Sequence, residues 1–274
     1  MRTLAAACIQ MCSSDTVADN IQAAAALITE AAQRGASLIV TPEMTSLMDR
    51  RPNAVLAKAC TEEHDAALAA FQVLAAALGI HLLIGSLPIK IAPDRCVNRS
   101  YCIDKQGAII ARYDKLHLFD VQLSDGQIYH ESALYQAGNS AVLAAVEDYT
   151  LGLSICYDLR FPALYRELAC AGADILTVPA AFTQVTGQAH WHVLLRARAI
   201  ETGCFVLAAA QGGQHADGRE TYGHSLIVDP WGTVLAEAAG AEPGIITASL
   251  NLARVAEVRQ QIPALQHGRF LSRL

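Results

Sequence analysis

Charge is scarce in this chain. Lys, Arg, Asp and Glu make up 17% of its 274 residues, and the net charge of −6 is spread without a block of either sign. So mild a balance leaves no electrostatic footprint for a nucleic acid or an anionic membrane, and a small-molecule partner is expected instead. Long apolar runs are also missing: none approaches the roughly 18 residues of a membrane span. The opening MRTLAAACIQMCSSD is brief and broken by Gln10 and two cysteines, so it reads as a strand and helix cap rather than a signal peptide. A soluble protein is expected. No Ser/Pro-rich linker, internal repeat or low-complexity tract divides the chain, which predicts one domain over 1–274. Eight cysteines stand at 8, 12, 60, 96, 102, 156, 170 and 204 without a CxxC pair. They lack the spacing of a redox dithiol and read as reduced thiols of a cytoplasmic protein. Cys8 and Cys12 would share a strand face, but no second pair completes a four-ligand metal site.

What is present is apolar material, 53% of residues, in a strand-helix rhythm. Residues 3–11 alternate as a strand, a helix is predicted over 17–34 behind Asp15 and Thr16, and SLIVTPEM follows as a short strand ending at Glu43. A second helix over 63–78, closed by Gly79, precedes the buried strand IHLLIGSLPI. CVNRSYCID and GAIIARYDK then read as a hairpin, with Lys115 at the end of its second strand. Residues 116–138 form a long polar loop that holds Glu131, and loops of that length are usually functional. The rhythm resumes with strands near 141–146 and 150–156, a helix over 162–171, the strand ADILTVPAAF, and a helix over 188–202 between Gly187 and Gly203. Strands FVLAAAQ, TYGHSLIVD, TVLAEA and IITASLN and a short helix at 251–260 complete the pattern. Two βα halves with hairpins between them imply two packed sheets with helices outside, a four-layer arrangement.

The stretch YTLGLSICYDLR, 149–160, draws the candidates together. Leu151, Leu153 and Ile155 alternate with smaller residues, and Pro162 suits a first helical turn, so Cys156 sits on a strand-to-helix turn. Such a turn exposes a side chain and aims backbone N–H groups at it, which suits a nucleophile with an oxyanion site. A free cysteine is as readily a small buried hydrophobe. Glu43 and Lys115 also end strand-like runs, and a base and a cation beside a thiol would activate it. Each has a plainer reading, Glu43 as a surface acid and Lys115 as a solvated strand end.

PEM at 42–44, YDKLHLFD at 113–120, SICYDLRFP at 154–162 and the stretch from Pro179 to Trp231 resemble the carbon–nitrogen hydrolase (nitrilase) superfamily over nearly the whole chain. The resemblance implies the α+β class as a four-layer αββα sandwich, and a Glu-Lys-Cys triad of Glu43, Lys115 and Cys156, with Glu131 as the additional active-site Glu. It implies an amidase that works through a thioester, with Lys115 and the Tyr157 N–H holding the oxyanion and no metal or organic cofactor. Glu131 beside Glu43 is expected to raise a carboxyl pKa.

AFTQVTGQAHWHVLLRARAIE followed by YGHSLIVDPWG is most similar to the branch that contains deaminated glutathione amidase and its neighbour ω-amidase, both acting on 5-amides of 2-oxoglutarate. YDLRFP and RETYGHS favour the former. On this resemblance Arg160 pairs with the oxo-acid carboxylate, Phe182 and Thr186 line the same pocket, and residues 117–130 and 211–222 build the leaving-group side. The plainer reading of Arg160 is a structural salt bridge. A binding protein that has lost turnover is the contrasting reading, and the four intact site residues argue against it. One departure is His192, where the branch carries Glu; it is expected to be a packing change, with consequences for Arg196 if that Glu holds it. His190 and His192 point to different helix faces, and His117, His130 and His224 lack ligand spacing. Arg196 and Arg198 are expected in interior ion pairs or at a subunit contact. The resemblance implies a homodimer, open to assembly into a higher oligomer. The tail from about 262 carries too many apolar groups to float free and is expected to pack on a partner subunit.

Overall fold

The computed structural model describes residues 3–123 and 126–269. Its first half comprises β1 (Thr3–Gln10), α1 (Val17–Gln33), β2 (Leu38–Val40), α2 (Pro52–Lys58), α3 (Ala66–Leu78), β3 (His81–Ala92), β4 (Arg95–Ile103) and β5 (Ile109–Asp114). A small hairpin of β6 (Asp120–Gln122) and β7 (Ile128–His130) leads to β8 (Leu143–Val146), β9 (Tyr149–Leu153), α4 (Pro162–Cys170) and β10 (Ile175–Thr177). There follow α5 (Gln184–Thr202), β11 (Phe205–Ala208), β12 (Gly212–Gln214), β13 (Glu220–Tyr222), β14 (Leu226–Val228), β15 (Val234–Glu237), β16 (Gly244–Asn251) and α6 (Ala253–Gln261).

Two six-stranded sheets form, in the orders β16-β1-β2-β3-β4-β5 and β15-β14-β11-β10-β9-β8. In each, three parallel strands sit centrally: β1, β2 and β3 in one, β9, β10 and β11 in the other. Period-two alternation sorts the side chains. Leu4, Ala6 and Cys8 of β1 join Leu151 and Leu153 of β9 in the core between the sheets. Ala7 and Ile9 face the other way, onto Ala24 and Ile28 of α1 and Phe71 of α3. Trp191 and Leu195 of α5 and Leu168 of α4 cover the second sheet. The layers are therefore α, β, β and α, as expected.

Several local expectations are corrected. The second helix begins at Ala66, because the Asp65 carboxylate accepts a hydrogen bond from the Leu68 N–H at 2.8 Å and so caps it. Glu62–His64 form a separate turn of 3-10 helix. Gly187 lies inside α5 rather than before it, since Thr183 caps that helix and accepts from Thr186. The polar loop of 116–138 contains the β6-β7 hairpin, whose three-residue strands are too short to show a period. In the tail, Leu265 packs on the core and its carbonyl accepts from Arg166 Nη2 of α4 at 2.8 Å. Residues 270–274 of that expected interface lie outside the described residues. Among the described residues, no helix is long and apolar enough to cross a membrane.

Candidate active site

Glu43 follows the carboxyl end of β2 and Cys156 that of β9, the ends at which parallel sheets leave a crevice. Each is set by a tight backbone. At the Glu43 turn, Gly85 of β3 comes so close that a Cβ there would lie 2.1 Å from the Thr41 carbonyl oxygen, and the Gly85 N–H donates to Thr41 Oγ1 at 3.0 Å. Gln211 Nε2 holds the far side, donating to the Glu43 carbonyl oxygen at 2.9 Å.

The Cys156 turn is strained. Its φ of +51° lies in the left-handed region, unusual for a residue with a Cβ, and its N–H is held by the Pro179 carbonyl at 2.9 Å. Asp158, fully buried, ties the turn together: it accepts from the Ile155 N–H at 2.8 Å, Tyr113 Oη at 2.7 Å and the His117 N–H at 3.0 Å. Tyr113 lies in β5, the strand that leads to Lys115, so one carboxylate locks the thiol's turn to the ammonium's strand. Arg198 completes the support, donating through Nε and Nη2 to the Leu159 carbonyl at 3.1 and 2.7 Å, and its Nη1 pairs with Glu201.

The titratable groups meet in one buried cluster. Lys115 Nζ lies 2.9 Å from Glu43 Oε1 and 3.0 and 2.8 Å from the two oxygens of Glu131. Asn98 Nδ2, in mid-strand β4, donates to both carboxylates, at 2.9 Å to Glu43 and 3.1 Å to Glu131. The Ala181 N–H donates to Glu43 Oε2 at 2.9 Å, and the Phe119 N–H to Glu131 Oε2 at 2.6 Å. The Cys156 thiol lies close enough to the Glu43 carboxylate to feel its charge.

Two opposing shifts follow. Burial and then the negative charge of Glu43 push the Cys156 thiol well above its usual range, against the pull of Lys115. Burial also presses the Glu43 carboxyl upward, but the charge and hydrogen bond of Lys115, with the contributions of Cys156 and Asn98, outweigh it and leave Glu43 below the usual range. The expected rise for a carboxyl beside Glu131 is therefore corrected at Glu43: the ammonium stands between the two acids. Lys115 is itself held well above its usual range, because Glu131 and Glu43 together outweigh the burial that opposes its charge. The resting cluster is thus a neutral thiol, an ionised Glu43 and a charged Lys115.

The cluster forms the floor of a cavity of about 270 Å³. Its walls include Tyr157, Arg160, Phe182 and Thr186, which brings the four expected substrate contacts to one place. Among the described residues, Arg160 makes no salt bridge. Its guanidinium lies 5.4 Å from the Phe182 ring centre and 6.0 Å from that of Tyr157, and Nη1 is 3.2 Å from His190 Nδ1. The lining also includes Phe119, whose ring meets that of Tyr157 edge-on at 5.0 Å, the 127–130 segment, Arg219 and residues 47–50, so both the 117–130 and the 211–222 stretches contribute to the cavity.

Sequence reading missed Asn98, Asp158 and Gln211 as site builders. Asn98 had one signal, a lone amide in a strand buried on both faces. His192 does not engage Arg196, whose Nε donates to the Gly232 carbonyl at 2.8 Å. It bonds Glu237 Oε1 at 2.9 Å instead, where His224 also arrives.

A thiol, a carboxylate and an ammonium buried together at the strand ends of an αββα sandwich are the equipment of a hydrolase for amide C–N bonds. The chain belongs to the carbon–nitrogen hydrolase family, whose model matches residues 5–260. It is 42% identical over 279 residues to the deaminated glutathione amidase of Synechocystis, covering 99% of this chain and 100% of that one. It is 37% identical to the human deaminated glutathione amidase, covering 97% of this chain and 82% of the relative. Among solved structures it superposes on the Caenorhabditis elegans NitFhit protein with a TM-score of 0.90 at 35% identity, covering 97% of this chain and 65% of that one. The Saccharomyces cerevisiae Nit3 structure gives 0.87 at 29% identity, over 98% of this chain and 97% of that one.

Proposed function

We propose that this protein hydrolyses the amide bond of deaminated glutathione to 2-oxoglutarate and cysteinylglycine, with Cys156 as nucleophile and Glu43 as its base. The observation that carries the chemistry is the geometry of the buried cluster, in which Lys115 Nζ lies 2.9 Å from Glu43 Oε1. Glu43 is held below its usual range and the Cys156 thiol above its own, which leaves the proton on sulfur. Glu43 takes that proton as Sγ attacks the amide carbonyl, and the new oxyanion is held by Lys115 Nζ with the Tyr157 N–H. Collapse breaks the C–N bond, the amine leaves with the proton from Glu43, and a thioester remains. Water then gives a proton to Glu43 and attacks the thioester; the thiolate leaves and recovers that proton. Glu131 fixes Lys115 throughout, and no step calls on a metal or cofactor.

The substrate reading rests on the relatives' names and on two arginines in the cavity lining. Arg160 suits the carboxylate of the 2-oxo acid. Arg219 is incompletely paired among the described residues: its Nη1 donates to Met48 Sδ at 3.4 Å, its Nη2 is 3.6 Å from Asp217 Oδ2, and its buried Nε has no hydrogen-bond partner. A substrate with a carboxylate at each end uses both, whereas 2-oxoglutaramate, the ω-amidase substrate, uses one. Release of 2-oxoglutarate from the two compounds by the purified protein tests this directly. Preference for the peptide, lost in Arg219→Ala through a KM raised about 10-fold or more, is the expected result; preference for the small amide would make the protein an ω-amidase.

A homodimer fits the outer face of the second half. Val193 and Ile200, two turns apart on α5, are exposed large apolar residues, and Ile200 lies against Gly232, beside the exposed Trp231. Eight free thiols fit the cytoplasm.

A further inference from the structure

Outside the cavity, three potential metal ligands from different elements converge. His192 lies on α5, His224 in the connection from β13 to β14, and Glu237 ends β15. Their ligand atoms all lie within 4.8 Å of one another. His192 Nε2 is 2.9 Å and His224 Nδ1 3.0 Å from the same oxygen, Oε1 of Glu237. None of the three lines the catalytic cavity.

The fold builds this meeting. Antiparallel pairing sets Glu237 opposite Leu226, two residues beyond His224. The His224 backbone is in the left-handed region, with φ of +53°, and is pinned there: its N–H donates to the Gly240 carbonyl at 3.1 Å and its carbonyl accepts from Trp191 Nε1 at 2.8 Å. Trp191 precedes His192, so the helical turn that supplies one ligand also fixes the other. The Tyr222 ring stacks on the His224 imidazole at 4.3 Å and 25°, and meets His192 edge-on at 6.0 Å. Oriented imidazoles with their heads open to solvent are what a metal centre requires. His192 is 31% exposed in its side chain, His224 26% and Glu237 37%.

We infer that His192, His224 and Glu237 form a binding site for a divalent transition metal of the zinc class. Zinc takes imidazole nitrogen and carboxylate oxygen at about 2.0–2.2 Å, which puts tetrahedral ligands about 3.3 Å apart. The present 2.9 and 3.0 Å contacts open by a few tenths of an ångström to accept it. The ion takes the place of the two imidazole protons that point at Oε1, and each neutral ring carries its proton on its other nitrogen. Water completes the coordination. The ion clamps α5 to the edge strand β15, so its effect is on stability rather than on turnover.

The test uses untagged full-length protein stripped with a chelator and titrated with Zn²⁺ by calorimetry and with Co²⁺ by absorption. One equivalent is expected to bind, to raise Tm, and to give a Co²⁺ spectrum without thiolate charge transfer. His192→Ala and Glu237→Gln each weaken binding at least about tenfold and abolish the Tm rise, while kcat/KM for amide hydrolysis is unchanged. A Co²⁺ spectrum dominated by thiolate bands, binding that both variants retain, or no binding in the micromolar range would overturn the assignment.

Discussion

Asn98 is the most exacting place to test how the cluster works. Its amide nitrogen is a neutral donor that bridges both carboxylates, at 2.9 Å to Glu43 and 3.1 Å to Glu131. Asn98→Ala removes two hydrogen bonds to charged groups, each worth about 1.5–3 kcal/mol. It also removes Oδ1, which is buried without a partner and costs about 1–3 kcal/mol. The stability terms offset only in part, leaving roughly 2–3 kcal/mol of net loss, so Tm is expected to fall by about 5–10 °C while the fold stays intact. Catalysis has no such offset. Loss of one charge-assisted bond to the base corresponds to a fall in kcat/KM of about 10–100-fold. The sign of the pH effect is fixed as well. Asn98 is among the groups that lower the Glu43 pKa, so its loss raises that pKa and moves the acid limb of the kcat/KM profile to higher pH. Steady-state rates across pH, beside a thermal melt, measure both. An acid limb that stays in place with kcat/KM within twofold of wild type would refute the role given to Asn98; a collapsed Tm would show that the amide serves the fold instead.

Gly85→Ala is expected to destabilise by at least about 1–3 kcal/mol, since its Cβ would meet the Thr41 carbonyl at 2.1 Å. Because that carbonyl belongs to the Glu43 turn, kcat should fall more than Tm alone accounts for; melts and initial rates check it, and an unchanged kcat in the folded variant would separate Gly85 from the site. Arg160→Lys replaces a planar fork by a point charge and should raise KM about 10-fold with kcat nearly unchanged. An unaltered KM would remove Arg160 from substrate binding.

The three residues at strand ends were legible because a strand end is visible in one dimension. Glu43 after SLIVTP, Lys115 after GAIIARYD and Cys156 after LGLSI each stop an apolar run, and parallel topology brings such ends together. Glu131, Arg160, Phe182 and Thr186 came through family resemblance, with no period or spacing to mark them. What escaped are residues whose role depends on distant partners. Asn98 sits mid-strand and meets Glu43 from 55 positions away; Asp158 reaches Tyr113 over 45. His192 does not share a helix face with His190, and His224 lacks ligand spacing in the sequence, yet His192 and His224 both find Glu237, 45 and 13 positions away, because α5 packs across the strand that pairs with β15. The sign of the Glu43 shift was likewise a three-dimensional matter, decided by an ammonium lying between two acids.

The central claim is that the reaction passes through Cys156 as a thioester. Mass spectrometry of the protein quenched during turnover, with Cys156→Ala as the control, tests it most directly. The account predicts a 2-oxoglutaryl group on the peptide carrying Cys156, and a folded Cys156→Ala variant with neither adduct nor hydrolysis. Turnover retained in that variant, or an acyl group found on another residue, would contradict it.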